Sequence, residues 1–419
     1  MNGIINKLTD KRILIFGYGR EGKSTEEFIK KHVNVKSLEI FEGKREDIDE
    51  SKYDFIIKSP GIVMLEDNPK YTSQTELFLD EYADRTIGVT GTKGKSTTSS
   101  MIAHVLNQCG RRAILLGNIG KPCFDMIDEI EETGATVVFE LSCHQLLHIN
   151  KAPHISVFLN LFEEHLDYYG TMDKYFGAKA HIVSHQQKGD FALLGSNVPD
   201  TDEIKSESEH IVIEKPHTDY NLRILGEHNK LNAEFVYYIA TELCKLEPAE
   251  VISAIESFTG LPHRLEFFGN YNGIDYYDDS ISTIPEACIN ATECVKNAET
   301  VIVGGMDRGI DYDILVDFIK ARKDIKFILC YATGERIYKQ ITGKDELEAF
   351  TESEPVSFEK QNFVYVADLN EAVALAKVVT GKDRACILSP AAPSYGYFKN
   401  FEERGEVFKA LCKQQINNY

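Results

Sequence analysis

The 419-residue sequence has fewer basic than acidic residues, no C-x-x-C pair of cysteines and no long hydrophobic run. It carries 46 basic against 66 acidic residues, a formal net charge of −20, which argues against a nucleic-acid or anionic-membrane surface. No run of about 18 apolar residues occurs, so we expect no membrane insertion. Residues 1–12 contain no long apolar core, and we expect a cytoplasmic protein that no standard signal exports.

The nine cysteines are scattered singly, and none falls in a C-x-x-C pair. This usage is typical of reduced, mostly buried thiols in a cytosolic protein rather than of a disulfide framework. The hydrophobic content of 43% is ample for packed cores. The length predicts two or three domains of roughly 100–200 residues each.

Short apolar runs alternate with helical patterns along most of the chain. Examples are RILIFG (12–17), TIGVT (86–90) and VIVGG (301–305). Such alternation predicts an α/β fold with largely parallel sheets. The alternation is interrupted over residues 186–221, which are polar and turn-rich. We predict three α/β domains, with boundaries near 84 and 261.

The stretch GVTGTKGKSTTSS (88–100) resembles a phosphate-binding loop with unusual spacing. The common pattern G-x-x-x-x-G-K-[ST] would place its first glycine at Val89. A strand followed by this turn and a helix would form an anion nest of backbone N–H groups. Lys95 would then reach the terminal phosphates of a nucleotide, and Ser96 would bind Mg²⁺. The alternative is a plain strand–turn–helix with exposed lysines.

Carboxylates follow two of the predicted neighbouring strands. Glu140 ends the run TVVFE, and carboxyl ends of parallel strands meet at the ligand crevice. Mg²⁺ prefers such hard oxygen ligands. The next strand end adds further polar candidates, which are Asn160, Glu163, Glu164, His165 and Asp167.

A second glycine-rich stretch, GYGREG (17–22), follows a strand and opens a helix. It matches G-x-G-x-x-G, and Glu39 and Glu42 lie near the acidic position expected for dinucleotide binding. One interpretation of this stretch is a nicotinamide-dependent oxidoreductase. The other is a second nucleotide site, in addition to the one predicted at 88–100.

Several segments together resemble the Mur ligases in order and spacing, from one end of the chain to the other. They are GVTGTKGKST (88–97), GNIG (117–120), ELSCHQL (140–146), LNLFEEHLDYYG (159–170), AKAHI (178–182), GEHNKLNA (226–233), FTGLPHRLE (258–266) and LSPAAPSYGYFKNFEERGE (388–406). The longer glycine spacing at 88–94 is that family's own. The last two segments are specific to the branch that adds D-glutamate.

The resemblance implies an ATP-dependent ligase that adds D-glutamate to UDP-N-acetylmuramoyl-L-alanine through an acyl phosphate, in peptidoglycan synthesis. It implies a UDP-substrate domain at 1–84, a central ATP-binding domain at 85–261 and a C-terminal glutamate domain at 262–419. The expected partners are these small molecules, and we expect a monomer. A folyl-polyglutamate synthase is a rival that GYGREG and SPAAPS disfavour, and a non-catalytic homologue is disfavoured by the intact site residues.

The resemblance also assigns residues to each ligand. The catalytic residues are Lys95, His165 and Lys179. The ATP contacts are Gly91, Thr92, Lys93, Gly94, Lys95, Ser96, Thr97, Asn229, Asn232, Arg264 and Asp279. Two Mg²⁺ ions would be held by Ser96, Glu140, His165 and Lys179. The UDP-substrate contacts are Gly19, Arg20, Glu21 and Asn118. The glutamate contacts are Thr283, Arg308, Ser394, Tyr395 and Phe401.

Lys179 shows how much depends on the resemblance. A protonated ammonium cannot bind a cation, and the family converts this lysine to a carbamate with CO₂, which makes it an oxygen ligand. By residue type alone, Lys179 would be an exposed helical lysine.

One segment departs from the family pattern. Where the family commonly has Asp-Ser-Lys-Ala-Thr-Asn, this chain has DSISTI (279–284), so Ile281 replaces a lysine that would face the amino acid. Arg308 stands where lysine is common, and an arginine can bind a carboxylate bidentately. The altered pocket leaves L-glutamate open as the substrate of the same ligation.

Overall fold

The structure, a computed structural model, describes residues 1–62, 64, 66, 68–117, 120–164, 166–199, 204–344, 346, 347, 358 and 361–414, without the side chains of 166 and 167. Within these residues the chain forms three β-sheets. Contacts divide it into two compact units, 1–222 with 227–258 and 223–226 with 259–419. The first unit holds two of the sheets and the second unit holds one.

The first sheet is parallel throughout and has the strand order β2-β1-β3-β4. The elements in this part of the chain are α1 (Asn2–Leu8), β1 (Arg12–Phe16), α2 (Arg20–His32), β2 (Ser37–Phe41), β3 (Phe55–Lys58), β4 (Tyr71–Thr72) and α3 (Gln74–Tyr82). The glycine-rich stretch 17–22 therefore lies at the carboxyl end of β1, as predicted.

The second sheet is also parallel, with the order β10-β9-β8-β5-β7-β6. Its strands are β5 (Thr86–Thr90), β6 (Ala113–Gly117), β7 (Thr136–Glu140), β8 (Ile155–Phe158), β9 (Phe191–Gly195) and β10 (Glu209–Ile213). Its helices are α4 (Lys95–Gln108), α5 (Ile127–Thr133), α6 (Cys143–Leu146), α7 (Leu166–Tyr169), α8 (Met172–Ser184), α9 (His228–Tyr238) and α10 (Pro248–Ser257). Strand β5 lies between β7 and β8, so the predicted phosphate loop leaves the interior of the sheet.

Strands β9 and β10 lie inside the stretch 186–221. The prediction that the strand–helix alternation is interrupted there was wrong. Strand β9 is a five-residue run whose last four residues are buried, and β10 is half-exposed at the sheet edge. Both are too short, and their surroundings too polar, to stand out by periodicity.

The third sheet has the order β11-β12-β16-β13-β14-β15, with β11 antiparallel to β12 and the other pairs parallel. Its strands are β11 (Glu266–Tyr271), β12 (Ile274–Asp278), β13 (Ala298–Gly304), β14 (Lys326–Cys330), β15 (Phe363–Val366) and β16 (Arg384–Leu388). Its helices are α11 (Pro285–Cys294), α12 (Asp313–Ala321), α13 (Tyr331–Thr342), α14 (Leu369–Val379) and α15 (Phe401–Lys413).

Helices cover both faces of the third sheet. Val301 and Val303 pack in one core with residues of α11, α12 and α13, whereas Ile302 packs in another core with residues of α14 and α15. Successive side chains of a strand point to opposite faces, so both faces must be apolar. This explains the continuous run VIVGG in the sequence. No helix in the described parts of the chain is both long and apolar enough to cross a bilayer.

The stretch 17–22 contains a matched pair of glycines that tests this packing. A Cβ on Gly22 would lie 2.3 Å from the carbonyl oxygen of Gly17, whereas a Cβ on Gly19 meets nothing within 4 Å. We expect Gly22→Ala to lower the free energy of unfolding by about 1–3 kcal/mol, because the backbone must shift. Gly19→Ala should change it by less than about 0.5 kcal/mol. Urea denaturation followed by circular dichroism measures both, and equal effects would contradict the close approach.

Candidate active site

The predicted phosphate loop connects the end of β5 to the start of α4, which begins at Lys95. Gly91 and Gly94 have φ values of 149° and 84°, a region that favours glycine. A Cβ on Gly91 would lie 3.0 Å from the Cβ of Leu159 at the end of β8. The glycines therefore allow a tight turn directly below the amino terminus of a 14-residue helix.

Two lysines converge on one carbonyl oxygen of this loop. The ammonium of Lys95 donates to the Gly91 carbonyl oxygen at 2.9 Å and to that of Thr92 at 3.0 Å. Lys179 on α8 donates to the same Gly91 oxygen at 2.9 Å. Lys179 is only 1% exposed, and its ammonium lies 4.9 Å from the centre of the Tyr175 ring. The expectation of an exposed lysine at 179, drawn from residue type alone, is therefore wrong.

The shared environment lowers the pKa of both amines. Burial, and after it the positive charge of Lys95, lower the pKa of Lys179 to about 8. Burial also lowers the pKa of Lys95, although the negative charges of Glu140 and Glu164 oppose this. Lys179 is thus a buried amine beside the loop that loses its proton near pH 8.

The strand end after β8 braces the loop. The Asn160 side chain accepts from the backbone N–H of Lys93 at 2.9 Å and donates to the Lys93 carbonyl at 3.0 Å. The backbone N–H of Thr92 donates to the Asn160 carbonyl at 3.0 Å. The Lys93 side chain forms an ion pair with Glu164 at 2.7 Å. Asn160 therefore fixes the loop rather than facing a ligand.

The candidate metal ligands lie around the same loop. Glu140 is fully buried at the end of β7, where it pairs in register with Val89 of β5. Ser96 is half-buried in the first turn of α4, next to Thr97. His165 lies outside the described residues. A buried carboxylate and a helix-terminal hydroxyl beside an anion nest are donors that suit Mg²⁺ with phosphate.

Two predicted nucleotide contacts lie on α9 beside the loop. A Cβ on Gly94 would be 3.1 Å from the side-chain oxygen of Asn232, so this amide lies against the loop. The amide of Asn232 donates to the side-chain oxygen of Asn229 at 2.9 Å, and both residues are buried.

Two of the predicted UDP-substrate residues contact segments that follow strands β6 and β7 of the second sheet. Arg20 donates to the carbonyl oxygen of Gly120, and Glu21 accepts from the Gln145 side chain at 2.9 Å. Burial raises the pKa of Glu21. Gly19 is the residue that precedes α2. Asn118 lies outside the described residues.

In the second unit, three loops meet at the carboxyl edge of the sheet and carry the predicted glutamate residues. Arg308, after β13, donates to the carbonyl oxygen of Thr283, after β12, at 3.1 Å. The N–H of Met306 donates to the Pro393 carbonyl at 2.9 Å, which brings the loop after β16 alongside. Ser394 in that loop is buried, and Tyr395 is 60% exposed.

A buried arginine that sequence reasoning missed ties these loops together. Arg404 is 1% exposed and donates to the Ser280 carbonyl at 2.7 Å, to the Ser280 hydroxyl at 3.0 Å and to the Ala392 carbonyl at 3.0 Å. The Ser280 hydroxyl donates to the carbonyl of Phe401 at 2.8 Å. Arg404 lies in the segment FEERGE (401–406). Because that segment is rich in charged residues, the sequence contained no sign that Arg404 is buried.

Asp279 has a structural role as well as its predicted nucleotide contact. It accepts from the N–H of Leu265 at 3.0 Å and from the hydroxyls of Ser282 and Ser389. Burial raises its pKa to about 6, although these hydrogen bonds oppose the shift. The neighbouring Arg264 is exposed.

Known proteins resemble this chain along most of its length. The sequence model of the Mur ligase middle domain matches residues 89–214. The UDP-N-acetylmuramoylalanine–D-glutamate ligase of Aquifex aeolicus is 30% identical over an alignment that covers 96% of this chain and 98% of the relative. The chain belongs to the Mur ligase family. This membership does not support the nicotinamide-dependent oxidoreductase that GYGREG alone suggested.

Other similar Mur ligases include a different specificity. The UDP-N-acetylmuramoyl-L-alanine–L-glutamate ligase of Salinispora tropica is 31% identical over 85% of this chain and 82% of its own length. Among solved structures, MurF of Acinetobacter baumannii has a TM-score of 0.58 at 16% identity, with 89% of each chain covered. The UDP-N-acetylmuramate–alanine ligase of Thermotoga maritima has a TM-score of 0.56 at 18% identity and covers 96% of this chain and 98% of that chain. Both support the three-sheet α/β fold.

The lowered pKa of Lys179 can be measured directly. In protein labelled with ¹³C-lysine and kept free of CO₂, we expect the Cε signal of Lys179 to titrate near pH 8, because its ammonium is buried beside a second positive charge. Lys95→Gln removes that charge and should raise the pKa of Lys179. The exposed Lys174 of the same helix serves as reference, and Lys179→Arg assigns the signal. Titration of Lys179 above pH 10 would contradict the geometry.

Proposed function

We propose that the chain is an ATP-dependent amide ligase that adds D-glutamate to UDP-N-acetylmuramoyl-L-alanine, a step of peptidoglycan precursor synthesis. The observation that carries the proposal is the convergence of Lys95 and Lys179 on the Gly91 oxygen, beside the buried carboxylate of Glu140. This cluster provides positive charge and a metal ligand where the loop's N–H groups would bind phosphates. The cytoplasmic location and the monomeric state stay predictions.

The reaction joins a carboxylate to an amine at the expense of ATP. A carboxylate oxygen of the alanyl group attacks the γ-phosphorus, ADP leaves, and an acyl phosphate remains. The glutamate amine attacks the acyl carbon, loses a proton, and displaces phosphate to form the amide. Lys95 stabilises the charge on the transferred phosphoryl oxygens, and the loop's N–H groups hold the phosphates in place.

Magnesium fits the donors present, because the carboxylate of Glu140 and the hydroxyl of Ser96 flank the loop. When bound, Mg²⁺ neutralises phosphate charge. Ser96 and Glu140 would hold one ion, and His165 with a carbamylated Lys179 would hold a second.

Carbamylation of Lys179 is supported by its surroundings. The free amine attacks the carbon of CO₂ and releases a proton, which leaves a negatively charged carbamate. Only the unprotonated amine reacts, and burial lowers the pKa of Lys179 to about 8. The carbamate would also exchange the repulsion between two ammonium groups for an attraction to Lys95. We expect bicarbonate-dependent activity to rise between pH 7 and 8.5 as this amine loses its proton.

For the candidate glutamate site of the second unit, the family resemblance supports D-glutamate. One alternative substrate, L-glutamate, stays open. Arg308 and Thr283 are joined at the candidate carboxylate site, and Arg404 holds the surrounding loops. Ile281 cannot supply the second positive charge that a lysine would. This substitution, and the similar ligases named for L-glutamate, make L-glutamate the second candidate.

Phosphate release tests the proposal. With ATP, Mg²⁺, bicarbonate and UDP-N-acetylmuramoyl-L-alanine, we expect release of phosphate with D-glutamate and little without an amino acid. Release with L-glutamate alone would assign the second candidate. Release with neither amino acid would contradict the proposed ligation.

A loop variant tests the role of Lys95. Lys95→Ala should reduce turnover by about 10²-fold or more, because a charge that stabilises the transition state is lost. Its binding of the UDP substrate should stay near that of the unaltered chain. Lys320→Ala, at an exposed position of the second unit, is the control and should leave turnover unchanged. Near-normal turnover of Lys95→Ala would show that the loop is assigned wrongly.

A further inference from the structure

The first unit contains a cavity of about 550 Å³, and its described lining includes none of the residues assigned above to a ligand. It lies between the end of β3, the start of α3, the chain following α6, and the last turn of α8. None of the described residues in 17–22 or 91–97 lines it. Its volume falls within the range of about 300–1,000 Å³ typical of small-molecule sites.

A buried lysine lines this cavity without a partner. Lys58, the last residue of β3, is only 4% exposed. Within the part of the chain that the structure describes, its ammonium makes no hydrogen bond and no ion pair, and only the more distant charges of Glu21 and Glu76 act on it. Buried ammonium groups are normally paired, since removing the charge from water is costly. An unpaired one at a cavity wall therefore points to a ligand that supplies the missing negative charge.

The two acids whose charges act on Lys58 make their hydrogen bonds elsewhere. Burial lowers the pKa of Lys58, and the charges of Glu21 and Glu76 only oppose this from a distance. Glu76 lines the same cavity, but Asn150 donates to one of its oxygens at 2.7 Å and Thr72 to the other at 2.8 Å. Glu21 accepts from Gln145 at 2.9 Å, and Gln145 forms part of the cavity wall.

The remaining wall suits an organic anion. Four histidines line it, and they add no negative charge. Phe55, Pro60 and Met64 add apolar surface. We propose that this cavity binds a small molecule bearing an oxyanion, phosphate or carboxylate, with the Lys58 ammonium as its anchor. The site is separate from the phosphate loop and does not depend on the proposed ligation.

Inorganic phosphate and acetate serve as probes of the anchor. Both are titrated calorimetrically at constant ionic strength into the full chain carrying Lys95→Ala, so that the phosphate loop contributes little. We expect one saturable anion site, and the tighter of the two anions assigns the oxyanion. Adding Lys58→Gln should weaken binding at least tenfold, and Lys58→Arg should retain it. Lys52→Gln, at an exposed lysine of the same domain, should leave binding within twofold.

Three outcomes would overturn the proposal. They are the absence of anion binding, equal binding with Lys58→Gln, and complete loss of binding when UDP-N-acetylmuramoyl-L-alanine saturates the chain. The last would make the cavity part of the substrate cleft. If Lys58→Gln does not fold by circular dichroism, the ¹³Cε signal of Lys58 in the labelled parent decides. It should shift with added anion, and an unchanged signal would contradict the anchor.

Discussion

The carbonyl oxygen of Gly91 accepts hydrogen bonds from two lysine ammonium groups, and the arrangement of the candidate active site depends on this contact. Two like charges are brought together away from bulk water, a costly arrangement unless negative charge is close. The buried carboxylate of Glu140 supplies part of it. The phosphates of ATP and a carbamate on Lys179 would supply the rest. The site thus has an excess of positive charge that suits the reaction we propose.

The sheets make this arrangement possible. Parallel strands deliver the loop after β5, Glu140 after β7 and Asn160 after β8 to one edge. The second unit repeats the principle, since its loops after β12, β13 and β16 meet at the carboxyl edge of a third sheet. There the buried guanidinium of Arg404 fixes the loops, as Asn160 does in the first unit. In both units a polar side chain joins neighbouring loops by hydrogen bonds.

The sequence predicted the phosphate loop and Glu140 because apolar strands and glycine turns leave strong local patterns. It did not predict β9 and β10, which are short and lie among polar residues. It could not reveal that Lys179, Lys58 and Arg404 are buried, because burial of a charged side chain depends on distant partners. For Lys179 the family resemblance predicted a position in the active site, whereas residue type alone predicted an exposed lysine. All assignments of residues to ligands stay predictions, and His165 and Asn118 also lie outside the described residues.

The fate of the alanyl carboxylate oxygens shows whether the amide forms through an acyl phosphate. UDP-N-acetylmuramoyl-L-alanine is labelled with ¹⁸O in both alanyl carboxylate oxygens and turned over with ATP and glutamate. The oxygen that attacks the γ-phosphorus stays with it when the amine displaces phosphate. We therefore expect inorganic phosphate that carries one ¹⁸O atom for each amide formed. Amide formation with unlabelled phosphate, seen by mass spectrometry, would contradict an acyl phosphate formed at this loop.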